Sequence, residues 1–550
     1  MKENNMVNDT VYGHIPYSKF EEKLLQSKIV NRLLFVSQNA LAYFAFPSIA
    51  TKRYIHSLGT MHVSSFMFKN SLLNTQLDTR HKFLEEAQSE IVNLIKRHHL
   101  KIDLNSLNIY DKTLLNFSFA LDKKLEVTYL ILLQAVRLAG LLHDVGHLPF
   151  SHQTEYALKR LYVSIKKINK PNKEQKKFLK FYDKVTKNAT LVLHESIGSI
   201  YIEMLFKHEL LASHNIDSDV IELYYLMVTK ILNNSKSATF SYATLHDYVA
   251  SVVDADRIDY INRDLLASGY ISNSADFLRL TKEAILIEEE GAFRLSFMSS
   301  GLADIEHLIE SRFNLYKKVF FTHNIARLDT LLEKVITHLS KSYLANSPKD
   351  KKIYQSIAMM WQFPKEENFE KKLDIISQLD ENWLISLFKR EYFKIKYQEN
   401  LSYQERYYLA AFEEILFGKN LFKSQWKNLS SFYKLLGLSK EERYAFKEKF
   451  GKISSKKEKR LAKLLNAFIE KHNRDENFFS YAIVSLSLGI DKNFLLYDGE
   501  KSIKIGEVST LRKRLITSRA NTVPFYIFSN TKKLTQEMKE ELRAILFELF

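Results

Sequence analysis

Apolar residues recur at three- and four-residue spacings through most of the 550-residue chain, the period of helices that bury one face. Residues 7–19 read instead as extended, with Gly13 and Pro16 as breakers. The helical period then predicts one helix from about Phe20 to Tyr43. It ends at Phe46-Pro47, because the residue before a proline is pushed out of helical backbone. Helices dominate from Arg53 to about Leu280. Residues 284–298 read as a β-hairpin turning near Gly291. Residues 302–417 hold no glycine and only Pro348 and Pro364, so that stretch is predicted to be nearly all helix. Short strand-like runs at 494–497 and 523–528 precede an amphipathic helix from about Thr535. The most apolar run, 127–142, is interrupted by Gln134 and Arg137 and reads as a buried helix rather than a membrane span.

Composition supports this pattern. Fourteen glycines and seven prolines make up 21 of 550 residues, about 4% against roughly 12% on average. That shortage of turn formers excludes a β-sandwich, a propeller or a collagen-like repeat. A hydrophobic share of 46% excludes a disordered chain. The predicted fold is mostly α: a helical bundle with a short β-hairpin and a small α/β C-terminal appendage. No cysteine is present, which removes disulfides, thiolate zinc sites and a cysteine nucleophile together. The first ten residues are polar and carry no apolar signal-peptide core. A cytoplasmic protein without a membrane partner is expected.

Charge adds a question about partners. The formal net charge is +16, which suits an anionic partner or simply a lysine-rich solvated surface. Residues 166–187 hold nine lysines against Glu174 and Asp183 and read as a surface insertion or mobile helical hairpin. Residues 419–463 are similarly basic.

The chemically dense segment is LLHDVGHLPFSHQTE, residues 141–155. His143 and Asp144 are adjacent, His147 and His152 follow, and Glu155 lies three residues beyond His152. Three of the 17 histidines thus fall within ten residues. Imidazoles clustered in an apolar setting are costly to bury alone, so a metal or an anion explains them economically. A purely structural cluster is the alternative. A second His-Asp pair, His246-Asp247, reads as incidental. RYIHSLGTMH supplies Arg53 and His56, and LHES supplies His194 and Glu195. VVDADRIDYINRD supplies Asp254, Asp256, Arg257, Asp259, Tyr260, Arg263 and Asp264. Asp256 and Asp259, three residues apart, share a helical face with Tyr260 and Arg263 close by.

The ordered set His…His-Asp…Asp resembles the signature of the HD-domain phosphohydrolases. The wider strings are similar to one branch, the deoxynucleoside triphosphate triphosphohydrolases. The likeness begins at VYGHI and runs through FPSIATKRYIHSLG, AGLLHDVGHLPFSH, LHES, DADRIDYINRD and ESRFNLYKKVFFTH. It continues more weakly in QLDENWLISLF and VSTLRKRLITSRANTVPFYIF. No sterile-alpha-motif domain is expected ahead of these strings. The resulting division is an HD-type catalytic core over 1–340 with a Lys-rich insertion at about 161–190, a helical region over 341–470 and a small α/β region over 471–550.

The resemblance implies that His56, His143, Asp144 and Asp256 bind one divalent metal. Nitrogen and carboxylate ligands fit Mn, Fe, Zn or Mg and do not choose among them; a second Mg would accompany the triphosphate. The implied reaction converts a dNTP to a deoxynucleoside and triphosphate, which limits the dNTP pool; a role in defence against phage would follow from that. His152 matches the proton donor and Glu155 the carboxylate that orients it. His147 and His194 match histidines lining the phosphate channel, with Glu195 beside them. Arg53, Arg257 and Arg312 match phosphate contacts. Tyr260 and Asp264 match residues that pack against and hydrogen-bond the deoxyribose, Tyr316 joins the substrate-binding set, and Gln38 matches a residue that reads the 3′-hydroxyl. Phe320 stands where the family has tyrosine.

Departures are specific. Animal members read a guanine effector through an Asp…Gln-Arg-x-Arg string. Here QSKIVNRLL places Gln26, Asn31 and Leu34 at the aspartate, glutamine and second arginine. A different nucleotide effector, or none, is expected. The implied assembly is a homo-oligomer, a dimer or tetramer, with nucleic acid a secondary partner. Two alternatives share the scaffold: an HD phosphodiesterase acting on cyclic nucleotides or RNA, and a non-catalytic nucleotide- or nucleic-acid-binding protein.

Overall fold

The computed structural model describes residues 5–104, 123–211, 216–237, 240–270, 277–345, 356–474, 476–491, 493–531 and 533–549. The helical expectations for 105–122, 212–215, 271–276 and 346–355, and the polar reading of residues 1–4, lie outside the described residues.

The chain opens with an antiparallel hairpin, Met6–Asp9 against Gly13–Pro16. The single helix predicted over 20–43 is instead broken into pieces. Helix Lys19–Leu25 stops at a new cap, where Ser27 Oγ donates to Leu24 O and accepts from Val30 N. Helix Lys28–Asn31 and the 3-10 turn Arg32–Phe35 follow. The chain then runs extended, with Ser37 bridging to Lys52 and Gln38 N donating to Thr51 O. The side chains keep a buried face across these breaks, which is why the helical period survives where the helix does not.

At the centre, helix Arg53–Asn74 packs against Lys123–Leu142 on one side and Ala255–Ser268 on another. The Leu125–Leu142 stretch is long and apolar enough to cross a membrane, yet 89% of it is buried inside the protein. Its Arg137 is neutralised internally by Glu21, which accepts from Nε at 2.6 Å and Nη2 at 2.7 Å. The hairpin Ala284–Glu289 with Ala292–Phe297, turning at Gly291, closes over the Arg53–Asn74 helix.

The Lys-rich stretch is a docked amphipathic helix, not a loose insertion. Asn172 caps helix Lys173–Thr186, whose Phe178, Phe181 and Tyr182 are buried. They pack on Trp361, Phe363 and Tyr162, while Lys173, Lys176, Lys180 and Lys184 face water. Toward the C-terminus, Phe525–Ser529 is the middle strand of a three-stranded antiparallel sheet between Lys423–Ser424 and Phe479–Ile483. That sheet therefore borrows a strand from well before residue 471. Helix Gln536–Leu549 packs on helix Ser455–His472 beside it.

Candidate active site

Several segments deliver side chains to one cavity of about 560 Å³. Helix Arg53–Asn74 brings Arg53 and His56. The turn after Lys123–Leu142 brings His143, Asp144 and His147. Helix His152–Lys166 carries His152 and Glu155, and Leu193–Met204 carries His194 and Glu195. Helix Ala255–Ser268 carries Asp256, Arg257, Tyr260 and Asp264. Helix Leu302–Leu315 supplies Arg312 and runs into a π turn, Tyr316–Phe320, that presents Tyr316 and Phe320. All the expected site residues line the cavity except His56 and Glu155, which are buried behind it.

His56 is held from both ends. Its Nδ1 lies 2.7 Å from Asp259 Oδ2, and its Nε2 lies 3.0 Å from Asp256 Oδ1 and 3.4 Å from Asp144 Oδ2. His143 Nδ1 lies 2.8 Å from the carbonyl oxygen of Gly140. A carbonyl only accepts, so Nδ1 carries the proton and Nε2 presents its lone pair. That Nε2 is 3.4 Å from Asp144 Oδ2 and 3.6 Å from Asp256 Oδ1. Both Nε2 atoms are buried and lack a hydrogen-bond partner. Two orphaned imidazole nitrogens converging with two carboxylates fit a divalent cation.

Asp144 is also paired with Arg53, whose Nε donates to Ser151 Oγ at 2.9 Å. Burial opposes ionisation of Asp144, but Arg53, His143 and His147 outweigh it and hold its carboxyl well below the usual range. Arg53, expected as a phosphate contact, is thus already committed to Asp144 and Ser151.

The second cluster centres on Glu155. Its Oε1 lies 3.1 Å from His147 Nδ1 and 2.9 Å from His194 Nδ1; its Oε2 lies 3.6 Å from His152 Nδ1. The His147 and His194 rings stack at 4.0 Å. This closeness depends on Gly146: a Cβ there would stand 2.0 Å from His194 O and 2.2 Å from Gly198 N. Burial, with Arg53 and His194 nearby, pushes the His147 pKa down to about 3. Burial alone would lower the His194 pKa, but its contact with Glu155 raises it. The side chain of His152 is 51% exposed to the cavity. Phe150 and Ser151 precede it with φ of 60° and 51°, a strained left-handed turn for non-glycine residues. Ser151 Oγ donates to Ser37 O, and Phe150 N donates to Glu381.

At another wall, Arg312 Nε donates to Tyr260 Oη at 2.9 Å, and its guanidinium lies over the Tyr316 ring. Asp264 Oδ1 accepts from Asn39 Nδ2 at 2.8 Å. Asp264 Oδ2 and Gln38 Oε1 are buried without partners. Burial pushes the Asp264 carboxyl up to about 7.

Four residues have a place in the site that was not assigned to them from the sequence. Asn39 orients Asp264. Arg263 bridges Asp259 to Asp9, donating at 2.8 Å and 2.7 Å. Arg32, the arginine left of the effector string, is buried and donates to the carbonyls of Val145, His147 and Leu379, so it buttresses the site turn. His246, read as incidental, lines the cavity with its Nδ1 held 3.0 Å from Ile231 O. Asp9 sits just ahead of VYGHI, and Asp259 was already on the Asp256 face; both were visible signals.

No family model matches the chain. A putative HD domain-containing protein, L394 of Acanthamoeba polyphaga mimivirus, is 23% identical over 329 residues, covering 60% of this chain and 56% of that protein. The deoxynucleoside triphosphate triphosphohydrolase SAMHD1 homolog of Dictyostelium discoideum is 23% identical over 334 residues, covering 59% and 47%. Human SAMHD1 is 22% identical over 330 residues, covering 60% and 43%. The chain thus spans about half the length of these relatives. In fold, a phosphohydrolase from Bacteroides thetaiotaomicron superposes with a TM-score of 0.55 at 16% identity, over 96% of this chain and 100% of that one. A hypothetical protein from Aquifex aeolicus gives 0.51 at 19% identity, over 98% and 100%. These matches relate the chain to the HD-domain proteins, the SAMHD1 triphosphohydrolases among them.

Proposed function

We propose that the protein is a metal-dependent phosphohydrolase that converts a dNTP to a deoxynucleoside and intact triphosphate. One observation carries the reading: a nitrogen-and-carboxylate metal set, a histidine–glutamate cluster and unpaired buried acceptors gather at or directly behind the wall of one cavity.

His56, His143, Asp144 and Asp256 would hold the divalent cation. Bound there, Mn, Fe, Zn or Mg supplies Lewis-acid polarisation of a phosphoryl oxygen and acidifies water. The remaining work falls to the chain. The departing 5′-oxygen is a poor leaving group and needs a proton. His152, partly exposed to the cavity, delivers it from Nε2, while Glu155 holds its Nδ1 edge. Glu155 also fixes His147 and His194 as a stacked wall along the phosphates, with Glu195 beside them. Arg257 and Arg312 neutralise the triphosphate, whose transfer depends on positioning and charge. Arg53 acts behind them by holding Asp144. Tyr260, Tyr316 and Phe320 give the sugar an aromatic wall. Asp264 Oδ2 accepts from its 3′-hydroxyl, and the Gln38 amide donates to the oxygen of the same hydroxyl. Phe320 has no hydroxyl to offer, so discrimination at the sugar rests on shape.

The experiment is a side-by-side assay with dNTPs, NTPs, cyclic nucleotides and single-stranded RNA in Mn or Mg. The reading expects turnover of at least one dNTP. Cleavage of only cyclic nucleotide or RNA would replace it with the phosphodiesterase alternative.

A further inference from the structure

A second cavity, also of about 560 Å³, lies among helices His152–Lys166, His323–Ala345, Tyr403–Phe417 and Ser455–His472. Arg160, Lys334 and Lys341 line it together with the rings of Tyr403, Tyr407 and Tyr408. Its charges are not balanced. Arg160 Nε is 2.5 Å from Glu333 Oε1, so that carboxylate is already engaged. Lys334 Nζ donates to Tyr407 Oη at 3.0 Å and sits 5.2 Å from that ring's centroid. Among the described residues no carboxylate forms an ion pair with Lys334. Burial and the neighbouring Arg160 push its amine down to about 8 against the pull of Glu333, the direction expected of a cation withdrawn from water beside a second cation. Glu470 is the other carboxylate in the lining, and it is exposed. The Tyr408 ring stacks on His338 at 3.7 Å, which gives that side a rigid flat wall.

We propose that this cavity binds a small phosphorylated molecule with a planar ring, the size of a nucleoside monophosphate. The phosphate adds negative charge to a lining of three cations and two carboxylates, and engages Arg160 and Lys341 beside Lys334, since guanidinium and phosphate match in geometry. The ring lies on the tyrosines. The volume falls within the roughly 300–1,000 Å³ of small-ligand pockets. None of these residues lines the active-site cavity. The helix is shared, however: Arg160 follows Glu155 by five residues.

The test is calorimetric titration of the full chain with AMP, GMP and inorganic phosphate. It is repeated on Lys334→Met, on Lys341→Ala and on the active-site variant Arg312→Ala. A nucleoside monophosphate is expected to bind more tightly than phosphate. Lys334→Met should weaken it by at least about tenfold, and Arg312→Ala should leave it within about twofold. Lys341→Ala, at an exposed position, should also weaken binding and decides the matter if Lys334→Met fails to fold. Four results would overturn the proposal: no binding at millimolar probe, unchanged affinity in both lysine variants, loss in Arg312→Ala, or phosphate binding as tightly as AMP.

Discussion

Gly59 and Asp259 lie in such close contact that a Cβ on Gly59 would stand 1.8 Å from Asp259 Oδ1. The same carboxylate receives His56 Nδ1 at 2.7 Å through its other oxygen. The missing side chain on one helix therefore makes room for a carboxylate of the next, which orients His56, a proposed metal ligand.

Gly59→Ala is expected to displace Asp259 and Arg263, whose Nη2 would be 2.7 Å from the new carbon. Overpacking of this kind costs about 1–3 kcal/mol. Loss of an outer partner of a metal-binding histidine weakens metal affinity about 10- to 100-fold. Thermal melts with and without Mn report both. An unchanged melting temperature together with unchanged Mn affinity would contradict the packing account.

The N-terminal hairpin reaches the same site. Asp9 accepts from Arg263 at 2.7 Å while also accepting from the backbone of Val11 and Tyr12. Asp9→Ala leaves a buried donor unsatisfied, a loss of about 1–3 kcal/mol. Its Mn affinity should fall as well, because Asp259 loses its brace. Mn titration by electron paramagnetic resonance measures this without turnover; wild-type affinity would show that the hairpin is mere covering.

Glu155→Gln keeps the size and an oxygen acceptor beside His147 and His194 but removes the charge facing His152, so it should act mainly on the proton step. Glu155→Gln is expected to lower kcat about 10²- to 10⁴-fold, the usual worth of general acid catalysis, with KM within a few-fold of wild type. Steady-state kinetics separate the two parameters. A large rise in KM at constant kcat would place Glu155 in binding instead.

Asp264 gives a pH dependence with a definite sign. Burial holds its carboxyl protonated up to about 7, so it is neutral below that pH and ionised above it. The ionised form is the better acceptor for a sugar hydroxyl, so KM for a dNTP should fall as pH rises through 7. The group's contribution to stability declines from about pH 4 to about 7, where the folded form keeps a proton that the unfolded form has lost, and levels off above 7. Asp264→Asn should flatten both trends. Identical pH profiles for variant and wild type would remove Asp264 from this role.

Much of the candidate site was legible because its residues are clustered along the chain: His143, Asp144, His147, His152 and Glu155 fall within 15 residues. What was not legible is tertiary. That Asp259 holds one nitrogen of the His56 imidazole while Asp256 approaches the other depends on the close crossing of two helices. The burial of Arg32 depends on carbonyls more than 100 residues away. The helix breaks at Ser27 and after Phe35 left the apolar period intact, so periodicity alone could not reveal them. In the Lys-rich helix, Phe178, Phe181 and Tyr182 stood at helical spacing in plain view, but the surrounding lysines outweighed them.

The most direct test of the account is the identity of the phosphorus product. Purified protein with Mn or Mg and each dNTP in turn, followed by ³¹P NMR, should show inorganic triphosphate accumulating in step with deoxynucleoside. His143→Ala and Asp144→Ala should abolish both signals. Release of pyrophosphate or orthophosphate instead, or triphosphate release that survives in those variants, would contradict it.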